Sequence, residues 1–207
     1  MDKLRRRGMT IDGAYAQARC TPSRVSLLTG KYPWKIGFGG GVIAETAKGG
    51  VRLNETLMPQ LLKDAGYDTH GFGKWHIGYC DERLRPHNRG FDTYFGHMGS
   101  GIDYYKHQQG RTLDYWRNDV YVDSPRYSTD EFVKEAIDIL DTRHTEGTTD
   151  PFFMYMAFNA PHGPYKYPDS AAIKEFSDLA ENRANYLSVV YRMDAMIGRL
   201  VNKYDNI

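Results

Sequence analysis

The sequence predicts an α/β fold built on a mostly parallel sheet, and three observations predict it. Stretches with apolar residues at helical spacing alternate with short apolar runs of strand length. Phe152–Phe158 is apolar without interruption, as a strand buried on both faces should be. Loops rich in reactive side chains follow the strands, where open α/β sheets place their ligands. With 207 residues, 41% hydrophobic and 26% charged, the chain is one good-sized domain or a large piece of one, and wholesale disorder is excluded.

In order along the chain, Met1–Arg7 reads as the end of a helix with Leu4 on its apolar side. Gly8 is its expected stop, because glycine accepts the left-handed backbone of a helix end. Met9–Ala16 alternates as a short strand would. Cys20–Thr29 is a predicted helix with Pro22 in its first turn and Gly30 at its end. Glycines 37, 39, 40, 41, 49 and 50 mark a loop. Leu57, Leu61, Leu62 and Ala65 fall at helical spacing before Gly66, and Tyr67–Phe72 reads as a strand running into Gly73–Gly78. Residues 79–127 are expected to be irregular. Ser128-Thr-Asp-Glu131 has the form of a capping box, continued by Phe132, Ala136, Ile137 and Leu140. Pro151 introduces the strand Phe152–Phe158, and Asn159–Pro164 is a loop. Tyr186, Val189, Val190, Met193, Ile197 and Leu200 make a long amphipathic helix. No internal repeat, low-complexity tract or interdomain linker is visible.

Several function classes are excluded by composition. Twenty-seven basic against 26 acidic side chains give a net charge of +1, so there is no clustered field for nucleic acid. The cationic cluster Lys3, Arg5, Arg6, Arg7 reads as a solvated helix face. The longest apolar run is far below the roughly 20 residues that span a bilayer, so no membrane partner is expected. Met1–Thr10 lacks the apolar segment of a signal peptide. Cys20 and Cys80 allow at most one disulfide. Sixteen tyrosines and 21 glycines suggest a loop-rich surface with aromatic pockets. Asn54-Glu-Thr56 is a glycosylation sequon, although Asn54 equally suits a cap for the next helix.

Three predicted strand-end loops carry reactive groups: Cys20 and Arg24, Lys74 and His76, and His162. Taken singly, each has an ordinary reading as a buried thiol, a surface lysine or a solvated histidine. Together they converge on one crevice. Cys20 at a helix start with Arg24 one turn on suits a sulfate or phosphate. A thiol-phosphatase cradle needs a longer Cys–Arg spacing than the three residues here. The local signature of a papain-like protease is missing.

The stretch Cys20-Thr-Pro-Ser-Arg24, with Leu28-Thr-Gly30 behind it, resembles the signature of the sulfatases, whose Cys is converted after translation to formylglycine (3-oxoalanine). Gly73-Lys-Trp-His-Ile-Gly78 is similar to the family's second motif, Arg89-Gly-Phe-Asp-Thr-Tyr-Phe-Gly96 to the segment after it, and Pro161-His162 to a further active-site position. The resemblance covers essentially all 207 residues. It is nearest to the arylsulfatase B-like branch, through Leu61-Leu-Lys-Asp-Ala-Gly-Tyr67 and Asp103-Tyr-Tyr105.

This resemblance implies an alkaline-phosphatase-like sandwich with a mostly parallel central sheet, incomplete in this chain, residues 1–207 being the central part of one sulfatase N-terminal catalytic domain. It implies hydrolysis of an aryl or sugar sulfate. The geminal diol of a hydrated formylglycine attacks sulfur and then expels sulfate, splitting one hard step into two. Cys20 supplies the diol, Arg24 and Lys74 hold it and the sulfate, His162 protonates the leaving alcohol, and His76 helps the elimination. Lys74, His162, Asp103 and Tyr104 are the expected substrate contacts. A formylglycine-generating enzyme is the expected maturation partner, a sulfated small molecule or glycan the substrate, and a lysosomal or secreted parent the setting.

The family also holds a divalent cation, usually calcium, with the formylglycine oxygen from Cys20 and four carboxylate and amide ligands. Neither of the pairs that supply those four is expected in this chain, and Asp205-Asn206 reads as a helix end. The resulting expectation is a central slice that binds no calcium tightly and is inactive alone. Two other readings stand beside it: a phosphonate or phosphodiester hydrolase of the same superfamily, and a non-catalytic remnant that binds sulfated glycans.

Overall fold

The structure, a computed structural model, describes residues 1–166 and 176–207. Its centre is β1 (Asp68–Lys74), parallel on one side to β2 (Thr93–His97) and on the other to β7 (Phe152–Ala157). Lys74 faces His97 across one ladder, and Gly73 faces Ala157 across the other. Two antiparallel strands, β5 (Trp116–Arg117) and β6 (Val120–Tyr121), extend the edge beyond β2. The order is therefore β6-β5-β2-β1-β7, a mixed, mostly parallel sheet, while β3 (Gln108–Gln109) and β4 (Thr112–Leu113) form a separate ribbon. Every residue of β1 after Asp68 is buried, as expected of a strand with neighbours on both sides and cover on both faces.

Helices cover the two faces. On one, Val25 and Leu28 of α2 (Cys20–Thr29) meet Trp75, Phe91 and Tyr94. The short α3 (Met58–Asp64) packs beside them, and the Gln60 side-chain carbonyl accepts the Leu57 amide at its start (2.9 Å). On the other face, Phe132 and Ala136 of α4 (Ser128–Glu146) join Phe72, Phe95 and Tyr115. The long α5 (Glu181–Tyr204) packs against α4, where the Arg192 guanidinium donates to the Asp130 carboxylate. Burial of each large apolar side chain here contributes about 1.5–3 kcal/mol. No helix of the described residues is long and apolar enough to cross a membrane.

The predicted α/β class and the elements at 20–29, 128–146, 152–157 and 181–204 hold, except that 152–157, expected to be buried on both faces, is a half-buried strand at the end of the sheet. Five local expectations do not hold. Met9–Ala16 is not a strand: it has no ladder partner, and Met9 and Tyr15 are 89% and 98% exposed. Gly8 ends α1 (Asp2–Arg7) in an extended backbone, φ −134°, rather than a left-handed one. The Ser128–Glu131 capping box does not form, because the Glu131 carboxylate accepts from the hydroxyls of Ser124 and Tyr115. Within the stretch expected to be irregular, residues 93–97 form β2. Asn54 caps no helix, since α3 starts four residues later. Asp205 does follow the end of α5, and it pairs with Arg7.

Candidate active site

Three segments meet at the carboxyl ends of β1, β2 and β7. Cys20 is the first residue of α2, so its side chain sits where the helix presents unpaired amides. Arg24, one turn on, donates from a guanidinium nitrogen to the Lys74 carbonyl (2.6 Å) and to the Tyr155 hydroxyl (3.4 Å). It thus fastens α2 to both β1 and β7. Lys74 is 3% exposed and lies close enough to Cys20 for the two to act on each other electrostatically. Burial lowers the Lys74 pKa and the Arg24 charge adds to this, while Cys20 opposes both.

The loop beyond β1 is held from beneath. The Trp75 indole N–H, fully buried, donates to the carbonyls of Gly78 and Leu84 (2.9 and 3.0 Å). Gly50 crosses Gly78 so closely that a Cβ on Gly50 would lie 2.6 Å from the Gly78 Cα. This crossing straps the 41–51 loop against His76. The Thr21 hydroxyl donates to the His76 carbonyl (3.0 Å) and accepts the Ile43 amide (3.1 Å), so α2, that loop and the β1 exit are joined at one oxygen.

His76 takes a left-handed backbone, φ 59°, uncommon for a non-glycine residue and frequent at functional sites. Its Nε2 lies 3.0 Å from the Ile43 carbonyl, which can only accept, so Nε2 carries the proton. Nδ1 is left as a buried acceptor without a partner. Burial, followed by the Lys74 charge, lowers the His76 pKa to about 4 against the pull of the Ile43 carbonyl. The ring is therefore neutral at pH 7.

His162 follows β7. Its Nδ1 lies 2.7 Å from the Gly163 carbonyl, and its own carbonyl accepts the Tyr104 hydroxyl (2.9 Å). The ring is exposed and close enough for its charge to act on His76. Cys20, Arg24, Lys74, His76 and His162 are thus gathered at one end of the sheet.

Asp103 and Tyr104 have other tasks than the substrate contact expected of them. Tyr104 is fully buried, stacks on Tyr127 and holds the His162 backbone. Asp103 accepts the amides of Tyr105 and Lys106 and pairs with Lys166. Burial acts to raise its pKa, but the Lys106 amide and Lys166 outweigh it and hold the carboxyl below the usual range.

Two residues, Tyr155 and Asp114, escaped the sequence reading, and His97, which it placed only in a cluster where substrate contacts could lie, has a different position. Tyr155 faces Arg24 from β7. His97 is fully buried opposite Lys74, neither ring nitrogen has a partner, and burial followed by the Lys74 charge drives its pKa well down. Asp114 anchors the loop after β2. No spacing in the sequence announces Tyr155 or Asp114, because the fold and not a motif brings them to the site.

A cationic pair beside a thiol at a helix N-terminus, on a doubly covered, mostly parallel sheet, makes a place suited to an oxyanion. The chain belongs to the sulfatase family, whose model matches residues 1–206. It is 35% identical over 205 residues to arylsulfatase J of Mus musculus, covering 95% of this chain and 34% of that protein. Against N-acetylgalactosamine-6-sulfatase of Rattus norvegicus the identity is 29% over 227 residues, covering 100% of this chain and 42% of that protein. The fold superposes on Ps i-CgsB, solved in complex with k-i-k-neocarrahexaose, with a TM-score of 0.81 and 30% identity over 90% of this chain and 44% of that one. The chain spans well under half the length of these relatives.

Among the described residues no three His, Cys, Asp or Glu side chains are grouped to hold a metal ion. The groups around Cys20 are two cations and a neutral imidazole, whereas calcium wants several anionic oxygens. These residues alone therefore do not fit a calcium site.

The neutral, buried His76 makes stability depend on pH. Between pH 6.5 and about 4 the unfolded imidazole binds a proton that the folded one refuses. The stabilisation is complete above pH 6.5 and falls as the pH drops through that window, by about 3 kcal/mol at its foot. His97 acts in the same direction. Urea unfolding at pH 7 and pH 4.5 checks this: His76→Asn, which tolerates the left-handed backbone, is expected to lose less stability on acidification than the wild type.

Proposed function

We propose that this chain is the central part of a sulfatase catalytic domain and that the complete protein hydrolyses sulfate monoesters through a formylglycine made from Cys20. The observation that carries the reading is the convergence of two cations at the start of α2: Arg24, one turn after Cys20, is fastened to the Lys74 carbonyl, and the Lys74 side chain is buried near Cys20. The thiol marks where the formylglycine oxygens would lie. A formylglycine supplies a hydrated-aldehyde nucleophile able to release sulfate without leaving a stable ester behind.

The chain's own residues supply the rest. Lys74 and Arg24 stabilise negative charge as it moves from sulfur to the leaving oxygen. The buried Nδ1 acceptor of neutral His76 takes a proton beside position 20. His162, with Nδ1 committed to Gly163, keeps Nε2 for the proton that the leaving alcohol needs. Calcium is proposed for the complete protein, with its carboxylates contributed by residues other than these. A sulfated glycan or aryl sulfate is the proposed substrate, a formylglycine-generating enzyme the maturation partner, and a lysosome or the exterior the setting. The arylsulfatase and N-acetylgalactosamine-6-sulfatase relatives named above support the substrate class.

Mass spectrometry of the Cys20 peptide from protein made in its own host tests the reading. An aldehyde at position 20, together with turnover of nitrophenyl sulfate in preference to nitrophenyl phosphodiesters, is the expected result. An unmodified thiol in well-folded complete protein overturns it in favour of a non-catalytic remnant.

A further inference from the structure

The loop 97–101, which leaves β2 at the site, touches both histidines. Its first carbonyls, those of His97 and Met98, accept the amides of Trp75 (2.9 Å) and His76 (3.0 Å), so the β1 exit rides on it. Its far end lies under His162: a Cβ on Gly101 would sit 2.8 Å from the His162 Nδ1 and 3.0 Å from Cε1. The amides of Met98 and Gly99 pair with one side chain rather than a strand. Asp114 Oδ1 accepts Met98 N–H (2.9 Å) and Oδ2 accepts Gly99 N–H (2.7 Å), while Trp116 Nε1 donates to Oδ1 (2.8 Å). Asp114 is 7% exposed and faces only N–H donors through these bonds.

We infer that Asp114 is a positioning residue that sets the spacing of His76 and His162 by clamping the loop between them. The inference rests on the proposed hydrolysis only for its consequence in catalysis. Two carboxylate oxygens are needed because two amides arrive side by side. An asparagine would offer one acceptor and turn an N–H2 toward the other amide, leaving it unpaired. The displaced end of the loop is glycine-rich and carries His162's packing surface, so the shift reaches the ring. Displacements of about 1 Å at a catalytic group cost on the order of 10²-fold in rate.

Asp114→Asn and Leu140→Ala test this together. Leu140 lies toward the end of α4 that pairs through Arg143 with Asp68, at the opposite end of β1 from Lys74, and its truncation lowers stability without touching the loop. In a chain labelled at histidine and glycine, at one neutral pH, Asp114→Asn is expected to move the His162 ring resonances and the Gly101 amide, and Leu140→Ala to leave them in place. In the complete protein, Asp114→Asn is expected to lower kcat about 10- to 100-fold with KM changed less than about 3-fold. Should Asp114→Asn not fold, Trp116→Phe removes one donor to the carboxylate and is expected to move the same resonances less far. Resonances that stay put, or that move equally in Leu140→Ala, overturn the inference. If they move while wild-type protein fails to cleave nitrophenyl sulfate, the positioning stands and the hydrolysis reading falls.

Discussion

Replacing Cys20 with alanine in catalytically competent protein containing this chain is expected to lower kcat on nitrophenyl sulfate by about 10⁴-fold or more. The fold should survive. Cys20 is the first residue of α2, where alanine is at least as good a helix former, and it makes no part of the clamp beneath it. The Thr21 hydroxyl still joins the His76 carbonyl to Ile43, and Arg24 still holds Lys74 and Tyr155. No hydrogen bond of the surrounding frame is lost, so the unfolding free energy should change by no more than about 1 kcal/mol. The retained cations should also keep inorganic sulfate bound as an inhibitor. Arg24→Ala is the instructive contrast, because it removes charge and a bond between three elements at once and so lowers stability together with rate. Steady-state kinetics, sulfate inhibition and urea unfolding on the two variants check the difference. A Cys20→Ala enzyme retaining more than about a hundredth of wild-type kcat would show that the nucleophile lies elsewhere.

How much of this was legible beforehand depends on how local the signal is. α2 was readable because Pro22 and Gly30 punctuate it and because its reactive residues lie within one helical turn. The strand Phe152–Ala157 announced itself through the seven successive apolar residues from Phe152 to Phe158, although it is only half-buried. β2 did not: Thr93–His97 contains a glycine and a histidine, and what makes it a strand is its ladder to β1, whose paired residues lie 23 positions earlier, as in His70 with Thr93. The capping-box pattern at Ser128–Glu131 failed for the same reason in reverse, since distant hydroxyls claimed the glutamate. At the site, the residues carried by contiguous motifs converge as expected. The supports do not appear in any motif, because register, not spacing, sets Tyr155 beside Arg24 and His97 beside Lys74. Tyr104 was misplaced by its chemistry. A tyrosine in a polar loop looks like a binding residue until the fold buries its ring and turns its hydroxyl toward a backbone carbonyl.

The same registers make Gly73→Ala the most damaging substitution expected for the fold. Gly73 has φ +93°, a conformation that costs an alanine free energy even in open space. Space is not open: its Cβ would fall 2.1 Å from the Ala157 carbonyl oxygen and 2.7 Å from the carbonyl carbon. Both belong to the backbone of a paired strand, so relief requires β7 to move away from β1. Gly96 repeats the problem on the other side, where a Cβ would lie 2.0 Å from the Gly73 carbonyl oxygen. Three strands therefore approach through glycines immediately before Lys74, and that approach brings Arg24's two acceptors, the Lys74 carbonyl and the Tyr155 hydroxyl, together. Strain and overpacking together are expected to cost about 4 kcal/mol or more, a large part of a domain's stability. Gly40→Ala, with nothing within 4 Å of its Cβ and no positive φ, is expected to stay within about 0.5 kcal/mol. Urea unfolding followed by circular dichroism separates the two. A Gly73→Ala protein as stable as Gly40→Ala would mean that the strands do not close on each other here, and the geometry that seats Arg24 against Lys74 would go with them.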